Sequence, residues 1–274
     1  MSWGIRILNK KLRTLRQKER ERKLQHDQPA STPLTVGSDD ICYTATGEIF
    51  QPIRLYYEAL KPAKIFNAFS KLKCLALDKD QIHWNWLYSG ETSHLKFRKR
   101  VLDFKPPLVL GVFSFDQERK LWLDLFSIER ALTAITFFDK HLPRHAAKLW
   151  YFSVINRLFS LDDAQQFDPA QHFNAAMEFC DPAEALTAQL LALSEQARDE
   201  NEKMELLQHF FAQRNAAPTQ DVEHGAIRFY DEGLTPLQII LNTRQQVAWQ
   251  HWKGNASYTR SDYLQELAEH VKLR

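Results

Sequence analysis

The chain has 274 residues, of which 44% are hydrophobic and 26% charged, so it can bury a core and is not a wholly disordered polypeptide. Only 8 residues are glycine, and neither GxGxxG nor GxxxxGK[ST] occurs, which argues against the common glycine-loop nucleotide sites. The net charge of +2 hides an uneven distribution, because residues 1–24 carry +7 whereas residues 161–206 carry −9.

The first 24 residues combine dense positive charge with a helical apolar pattern. They contain nine Lys or Arg and two Glu. An apolar stripe with spacings of 3, 4 and 3 predicts a helix over 3–24, and its members are Ile5, Leu8, Leu12 and Leu15. Residues 25–40 are rich in Pro, Ser, Gly and Asp. The sequence therefore predicts a basic helical arm over 1–24 and a linker over 25–40.

The segment that follows the linker begins with a hairpin and a helix. A short hairpin is predicted from Ile41 to Phe50, with its turn at Thr46-Gly47. Pro62 suits the first turn of a helix that continues to about Ser70, because proline lacks the N–H that the first turn leaves unpaired.

Three further strands are predicted after this helix. A hairpin joins residues 73–77 to 81–88, and four large residues of its second strand alternate onto one face: Ile82, Trp84, Trp86 and Tyr88. Residues 108–115 are almost continuously apolar, which is typical of a central strand buried on both faces. A turn leads to a strand over 120–126, in which leucines alternate with other residues.

A helix and an ambiguous segment complete this region. Ser127 is a predicted N-cap for a helix of about 12 residues, which Pro143 ends. Residues 148–155 favour a strand by their β-branched and aromatic content and a helix by their context.

Residues 161–274 are predicted to be helical throughout. Three helix starts are marked by an N-cap residue followed by proline: Asp168-Pro169, Asp181-Pro182 and Thr235-Pro236. Gly254 ends the third helix, and Thr259 with Asp262 opens the last one. The pattern predicts an α+β fold with an antiparallel or mixed sheet core over 41–160, a helical subdomain over 161–274 and a basic N-terminal helical arm.

Cysteine and histidine spacing gives no metal or cofactor site. Cys42, Cys74 and Cys180 are far apart and form no CxxC pair, which excludes a four-cysteine zinc site and is typical of buried thiols in a reducing compartment. No HExxH occurs, and we predict neither a metal nor a cofactor. No apolar run reaches the ~18 residues of a membrane span, and the N-terminus lacks the features of a secretory signal. We therefore expect a cytoplasmic protein.

The charge distribution favours a non-catalytic nucleic-acid-associated protein. A helix dense in Arg and Lys contacts phosphates and gains affinity from counterion release. A second basic cluster runs from His94 to Lys105. The predicted nucleic-acid-binding residues are Lys10, Lys11, Arg13, Arg16, Arg20, Arg22, Lys23, Lys96, Arg98, Lys99 and Arg100. The pattern does not distinguish DNA from RNA, and nothing in the sequence identifies an enzyme.

The arm has three alternative partners. Its apolar stripe could dock on a partner protein, which would make the chain an adaptor or assembly subunit. It could lie on an anionic membrane surface, although the two glutamates and the short stripe count against this. It could also dock on the acidic stretch 161–206 within the chain or in a neighbour.

Two further alternatives concern the predicted sheet. Trp84, Trp86 and Tyr88 could stack single-stranded bases, although large residues alternating on one face are usually the core side of a strand. A metal-dependent nuclease-like hydrolase could be built from an acidic residue and a Glu-x-Lys triplet, although turns are rich in such residues: Asp116, Glu118, Lys120 and Asp124.

The last alternative is the C-terminal helix pair over 236–252 and 260–272. Its polar residues could read base edges in a groove: Arg244, Gln245, Gln246, Gln250 and His251. Its leucines, isoleucines and valine are more simply explained as a packing stripe.

Overall fold

The computed structural model describes residues 34–36, 40–79, 83–98, 107–116, 120–173, 182–216 and 220–272. The strands within these ranges are β1 Leu34–Val36, β2 Cys42–Thr44, β3 Ile53–Ala59, β4 Leu75–Leu77, β5 His83–Leu87, β6 Val109–Phe115, β7 Lys120–Leu125, β8 Ala147–Ile155 and β9 Val222–Ala226. The helices are α1 Pro62–Phe69, α2 Ile128–His141, α3 Leu161–Gln165, α4 Pro169–His172, α5 Pro182–Gln196, α6 Glu200–Ala216, α7 Phe229–Glu232, α8 Thr235–Trp252 and α9 Arg260–Lys272. A 3₁₀-helix covers Gly90–Thr92.

Most of the described strands form one sheet in the order β4-β5-β6-β7-β3-β8-β9, while β1 pairs with β2. Every pair of neighbours in the larger sheet is antiparallel. The α+β fold class is therefore confirmed, and of the two sheet types predicted the antiparallel one is present.

Two β-α-β crossovers explain why two helices share one face of the sheet. In β3-α1-β4 and in β7-α2-β8 the two strands run in the same direction, with three strands between the first pair and one antiparallel strand between the second. Such crossovers are almost always right-handed, which places both helices on one face of the sheet. Buried residues of α1, α2 and α8 share one core with this face, which we term the helix face. The opposite side is termed the second face.

Strand β7 shows how the sequence selects these faces. Leu121, Leu123 and Leu125 are buried in the helix-face core, whereas Trp122 and Asp124 point to the second face. This alternation confirms the predicted strand over 120–126.

The capping signals around α2 are also confirmed. Ser127 Oγ accepts the N–H of Arg130 at 3.1 Å, as an N-cap side chain does. The helix ends at His141, two residues before Pro143. Elsewhere, Cys42 and Cys74 are buried free thiols, as predicted.

A buried charge pair holds α2 against the hairpin that contains β2. The Arg130 guanidinium is fully buried and lies 3.5 Å from the Glu48 carboxylate, which also accepts from the hydroxyls of Thr44 and Thr46. Burial lowers the pKa of Arg130 to about 10, although the nearby Glu48 charge opposes this change. Arg130 therefore remains charged at neutral pH, and its contact with Glu48 fixes the start of α2.

Three elements differ from the expectation or go beyond it. The ambiguous segment 148–155 lies in strand β8, because pairing with the central strand β3 overrides local preference. The prediction that 161–274 is entirely helical is wrong, because β9 pairs with β8. Strand β1 lies inside the predicted linker. The two missed strands are only 5 and 3 residues long, and backbone hydrogen bonds to other segments determine them. The boundaries of the predicted arm, linker, core and helical subdomain stay predictions.

Candidate functional site

The loop that follows β5 presents a row of basic side chains. From His94 to Arg98 exposure alternates: His94, Lys96 and Arg98 are exposed, whereas Leu95 and Phe97 are partly buried against the main core. The loop therefore exposes three basic side chains to solvent and uses two apolar ones as anchors.

Tyr88 and a 3₁₀ turn fix the position of this loop. Tyr88 Oη donates to the carbonyl oxygens of Ser93 at 3.2 Å and Leu95 at 3.3 Å, and its ring packs edge-on against Phe97 at 5.4 Å. Thr92 Oγ1 donates to the carbonyl oxygen of Leu87 at 2.7 Å. The basic row is thus held against the end of β5 rather than extending freely into solvent.

Arg98 also contacts the start of α2. Its Nη2 lies 2.6 Å from Glu129 Oε1, while the Arg98 side chain remains 55% exposed. Burial raises the pKa of Glu129, and the Arg98 charge opposes that change. An arginine carries five N–H donors, so one carboxylate contact leaves others directed to solvent. Among the described residues, none forms an ion pair with Lys96.

Only part of the predicted nucleic-acid-binding set can be located. Lys96 and Arg98 lie on the basic row, as just described. The others lie outside the described residues: Lys10, Lys11, Arg13, Arg16, Arg20, Arg22, Lys23, Lys99 and Arg100. The apolar stripe of the arm lies outside them too: Ile5, Leu8, Leu12 and Leu15.

Glu91 ties the start of the loop to β4. Its Oε2 accepts the N–H of Cys74 at 2.9 Å. Desolvation acts to raise the pKa of Glu91, but hydrogen bonds from the backbone N–H groups of Glu91, Lys73 and Cys74 lower it to about 2. Because a glutamate in an unfolded chain titrates near ~4.3, this carboxylate stabilises the fold above that pH.

We expect Glu91→Gln to weaken the fold at neutral pH by about 1 kcal/mol, since a charged acceptor becomes a neutral one. The stabilisation by Glu91 is present above about pH 4.3 and is lost as the pH falls towards 2. The variant should therefore lose less stability than the wild type over that interval. Thermal unfolding at pH 7 and at acid pH measures this. Parallel pH profiles for the two proteins would contradict it.

The proposed hydrolase residues do not form a metal site in the described part of the chain. Both oxygens of Asp124 accept from Arg54, at 2.6 and 2.9 Å, so neither is free as a ligand. Asp116 Oδ1 accepts the backbone N–H of Lys120 at 2.8 Å, as turn residues commonly do, and Glu118 lies outside the described residues. No group of three His, Cys, Asp or Glu suited to a metal ion occurs among the residues described.

Two of the proposed stacking aromatics and two of the proposed base-reading residues are buried or paired inside the protein. Trp84 and Trp86 are buried in the helix-face core, so they present no surface to bases, and the simpler interpretation as core residues is correct. Arg244 forms a bidentate pair with Glu223 at 2.8 and 2.9 Å, and Gln245 is buried. The Arg244 pair stabilises the packing of α8 on β9, and Gln245 contacts Glu129 of α2, so neither reads base edges, whereas Gln246 is exposed.

A polar cluster on the second face was missed by the sequence analysis. The Arg54 guanidinium pairs with Asp124 and lies between the rings of Trp122 and Phe173, 5.1 Å from each centroid. Arg54 Nη1 also donates to the carbonyl oxygen of Phe173 at 3.0 Å. The alternation along β3 and β7 places these residues on one face, but no local signal pairs positions 70 residues apart.

Next to this pair lies a hydrogen-bonded serine and histidine. Ser153 Oγ lies 2.6 Å from His224 Nδ1 and donates to Tyr56 Oη at 3.2 Å. Burial lowers the pKa of His224, although the Glu223 charge opposes this, so the ring is neutral at neutral pH. Ser153 is 0% exposed and therefore cannot reach a substrate as a nucleophile. Its hydrogen bonds join β8 to β3 and to β9, so the cluster is suited to holding these three strands together.

Comparison with protein families, curated proteins and solved structures finds no match to this chain. None of the helices in the described ranges is long and apolar enough to cross a membrane. The inference of function therefore depends on the chemistry of the residues themselves.

Proposed function

We propose that the protein binds the phosphate backbone of nucleic acids through two basic elements, the N-terminal arm and the row His94, Lys96 and Arg98. The observation that carries the proposal is the anchored, outward-facing row on the loop after β5. The proposal assigns no reaction to the protein.

The geometry of the row suits a linear polyanion. The Cα atoms of Lys96 and Arg98 are at most about 7 Å apart, so both side chains can contact the phosphates of one strand. The Glu129 carboxylate orients the Arg98 guanidinium without covering it, because Arg98 is more than half exposed. Contacts of this type position a nucleic acid but do not select its sequence.

The composition of the arm supports the same partner. Its nine Lys or Arg would add phosphate contacts whose affinity rises steeply as salt is lowered. Two separate basic elements in one chain would allow one to capture the polymer and the other to orient it. Lys99 and Arg100 follow the row directly in the sequence and carry the same charge.

The double variant Lys96→Gln/Arg98→Gln tests the row. We expect it to weaken binding of a labelled oligonucleotide by about tenfold at low salt, because up to two phosphate contacts are lost. The slope of log affinity against log salt should become less steep by about 0.9 for each contact with duplex DNA. Fluorescence anisotropy across a salt series measures both quantities.

A matched control removes the same charge from another part of the surface. Lys61 and Lys64 are exposed at the start of α1, which follows the last residue of β3. Because β5 runs antiparallel to β3, this position and the loop after β5 lie at opposite ends of the sheet. The variant Lys61→Gln/Lys64→Gln should bind as the wild type does. Equal losses in both variants would show that only net charge matters and would remove the row from the proposal.

A further inference from the structure

Helix α6 carries an exposed apolar stripe. Met204 is 54% and Phe211 42% exposed, and Gln208 lies between them on the same side, at spacings of 4 and 3. Other residues of the helix are partly buried, and they include Leu206, Leu207 and Phe210. Large apolar side chains aligned on one exposed helix face are typical of a contact surface.

Acidic residues flank this stripe. Glu200 precedes Met204 by one helical turn and is exposed, and Glu205 is exposed beside it. Residues 195–206, at and just before the start of this helix, contain five Asp or Glu and two Lys or Arg, a net charge of −3. The surface therefore suits a partner that is both basic and amphipathic.

The arm of the same chain has these two properties. Residues 1–24 carry +7, and the sequence predicts a helix with one apolar stripe: Ile5, Leu8, Leu12 and Leu15. This stripe spans ten residues, or about 15 Å of helix, and the stripe on α6 spans about 10 Å between Met204 and Phe211. The two stripes are thus similar in length, and the charges around them are opposite in sign.

The connecting segment is long enough for contact within one chain. From the end of the stripe at Leu15 to β1 at Leu34 there are 18 intervening residues, which can span up to about 60 Å. A compact protein of this size has a radius of gyration of about 19 Å, so a segment of that length can reach much of its surface. A short tether also gives the arm an effective concentration of about 1 mM, which favours contact within the chain over contact between chains.

We propose that the apolar stripe of the arm docks on the outer face of α6 in the same chain, with Met204 and Phe211 as its main contacts. This docking does not depend on nucleic-acid binding, because it requires no ligand. If nucleic acid also binds the arm, the two contacts compete, and the acidic face lowers the affinity of the free protein for nucleic acid.

Trypsin digestion of the full-length chain tests the docking, since the arm contains nine cleavage sites. We expect Met204→Ser/Phe211→Ser to raise the initial rate of cleavage within residues 6–23 by about threefold or more, because cleavage follows the population of released arm. The control Ile239→Ser/Ile240→Ser removes two similarly exposed apolar residues from α8 and should leave the rate unchanged. Equal rates in all three proteins would overturn the proposal.

A photo-crosslinking residue at Leu12 of the otherwise unaltered full-length chain identifies the contact directly. We expect crosslinks to residues 200–211, at the mobility of a single chain and in a yield that does not depend on protein concentration. Crosslinked dimers would show that a second copy is the occupant and would contradict docking within one chain. Crosslinks confined to other elements would overturn the assignment of α6.

Discussion

Replacing Arg54 by methionine is expected to lower the free energy of unfolding by about 3–5 kcal/mol, because it leaves the Asp124 carboxylate buried without a cation. Arg54 and Asp124 form a bidentate pair in which neither side chain is substantially exposed. The variant also loses the contacts of the guanidinium with the Trp122 and Phe173 rings. Urea denaturation at neutral pH measures the change.

The double variant Arg54→Met/Asp124→Leu distinguishes the loss of the ion pair from the cost of leaving one buried charge without a partner. We expect it to be more stable than Arg54→Met alone, since no unpaired charge remains in the interior. Arg144→Met provides the matched surface control, because Arg144 pairs with Asp139 through two contacts of 2.8 Å but is 61% exposed. That variant should lose far less stability than Arg54→Met, because water screens an exposed ion pair.

The pH dependence of Arg54→Met provides an independent check. Burial raises the pKa of Asp124, and Arg54 opposes this, so removing Arg54 raises the pKa further. A carboxyl group whose pKa is higher in the folded state destabilises the fold when ionised, and protonation relieves that effect as the pH falls. The stability difference between variant and wild type should therefore narrow towards pH 4. A difference independent of pH, or one no larger than that of Arg144→Met, would contradict a buried charge pair.

Local signals in the sequence predicted the elements whose causes are local. Ser127 caps α2 through a contact three residues away, and the alternation within β7 separates the leucines from Trp122 and Asp124. The hairpin of β4 and β5 follows from two adjacent runs. Each of these features depends on residues close in sequence, so the local sequence pattern is enough to predict it.

Features that depend on distant segments were missed. Strand β9 pairs with β8 across about 70 residues, and its sequence contains a single β-branched residue. Its Gly225 lies against the Phe152 ring, where a Cβ atom would come within 2.5 Å of a ring carbon. The close approach explains the glycine, but it becomes apparent only once the two strands are known to pair.

The candidate site shows the same division. The basic composition of the loop is visible in the sequence, whereas the alternation of exposed cations with Leu95 and Phe97 depends on a core built from other segments. Likewise, Arg244 looks like a base-reading residue in its helix until Glu223 is placed opposite it. A charge pattern indicates a type of partner, and the fold decides which of the charges remain accessible.

Deleting residues 1–24 is expected to weaken nucleic-acid binding by about a hundredfold at 50 mM salt, because the deletion removes most of the Lys and Arg side chains proposed to contact phosphates. The affinities of the full-length and shortened proteins should converge as salt rises, since counterion release contributes less free energy to binding at high salt. Anisotropy titrations with single- and double-stranded oligonucleotides at several salt concentrations measure the difference. Binding that is equally tight without the arm would exclude the arm as a phosphate-binding element.

A stripe variant distinguishes the charge of the arm from its apolar contacts. In Ile5→Ser/Leu8→Ser/Leu12→Ser/Leu15→Ser every cation is retained, whereas the surface for docking on protein is lost. If the arm binds phosphates, this variant should bind nucleic acid at least as tightly as the wild type, and more tightly if docking on α6 holds the arm in the free protein. A loss as large as that of the deletion would mean that the apolar stripe, not the charge, makes the contact. The arm would then be a protein-docking helix, and the adaptor function would replace the nucleic-acid one.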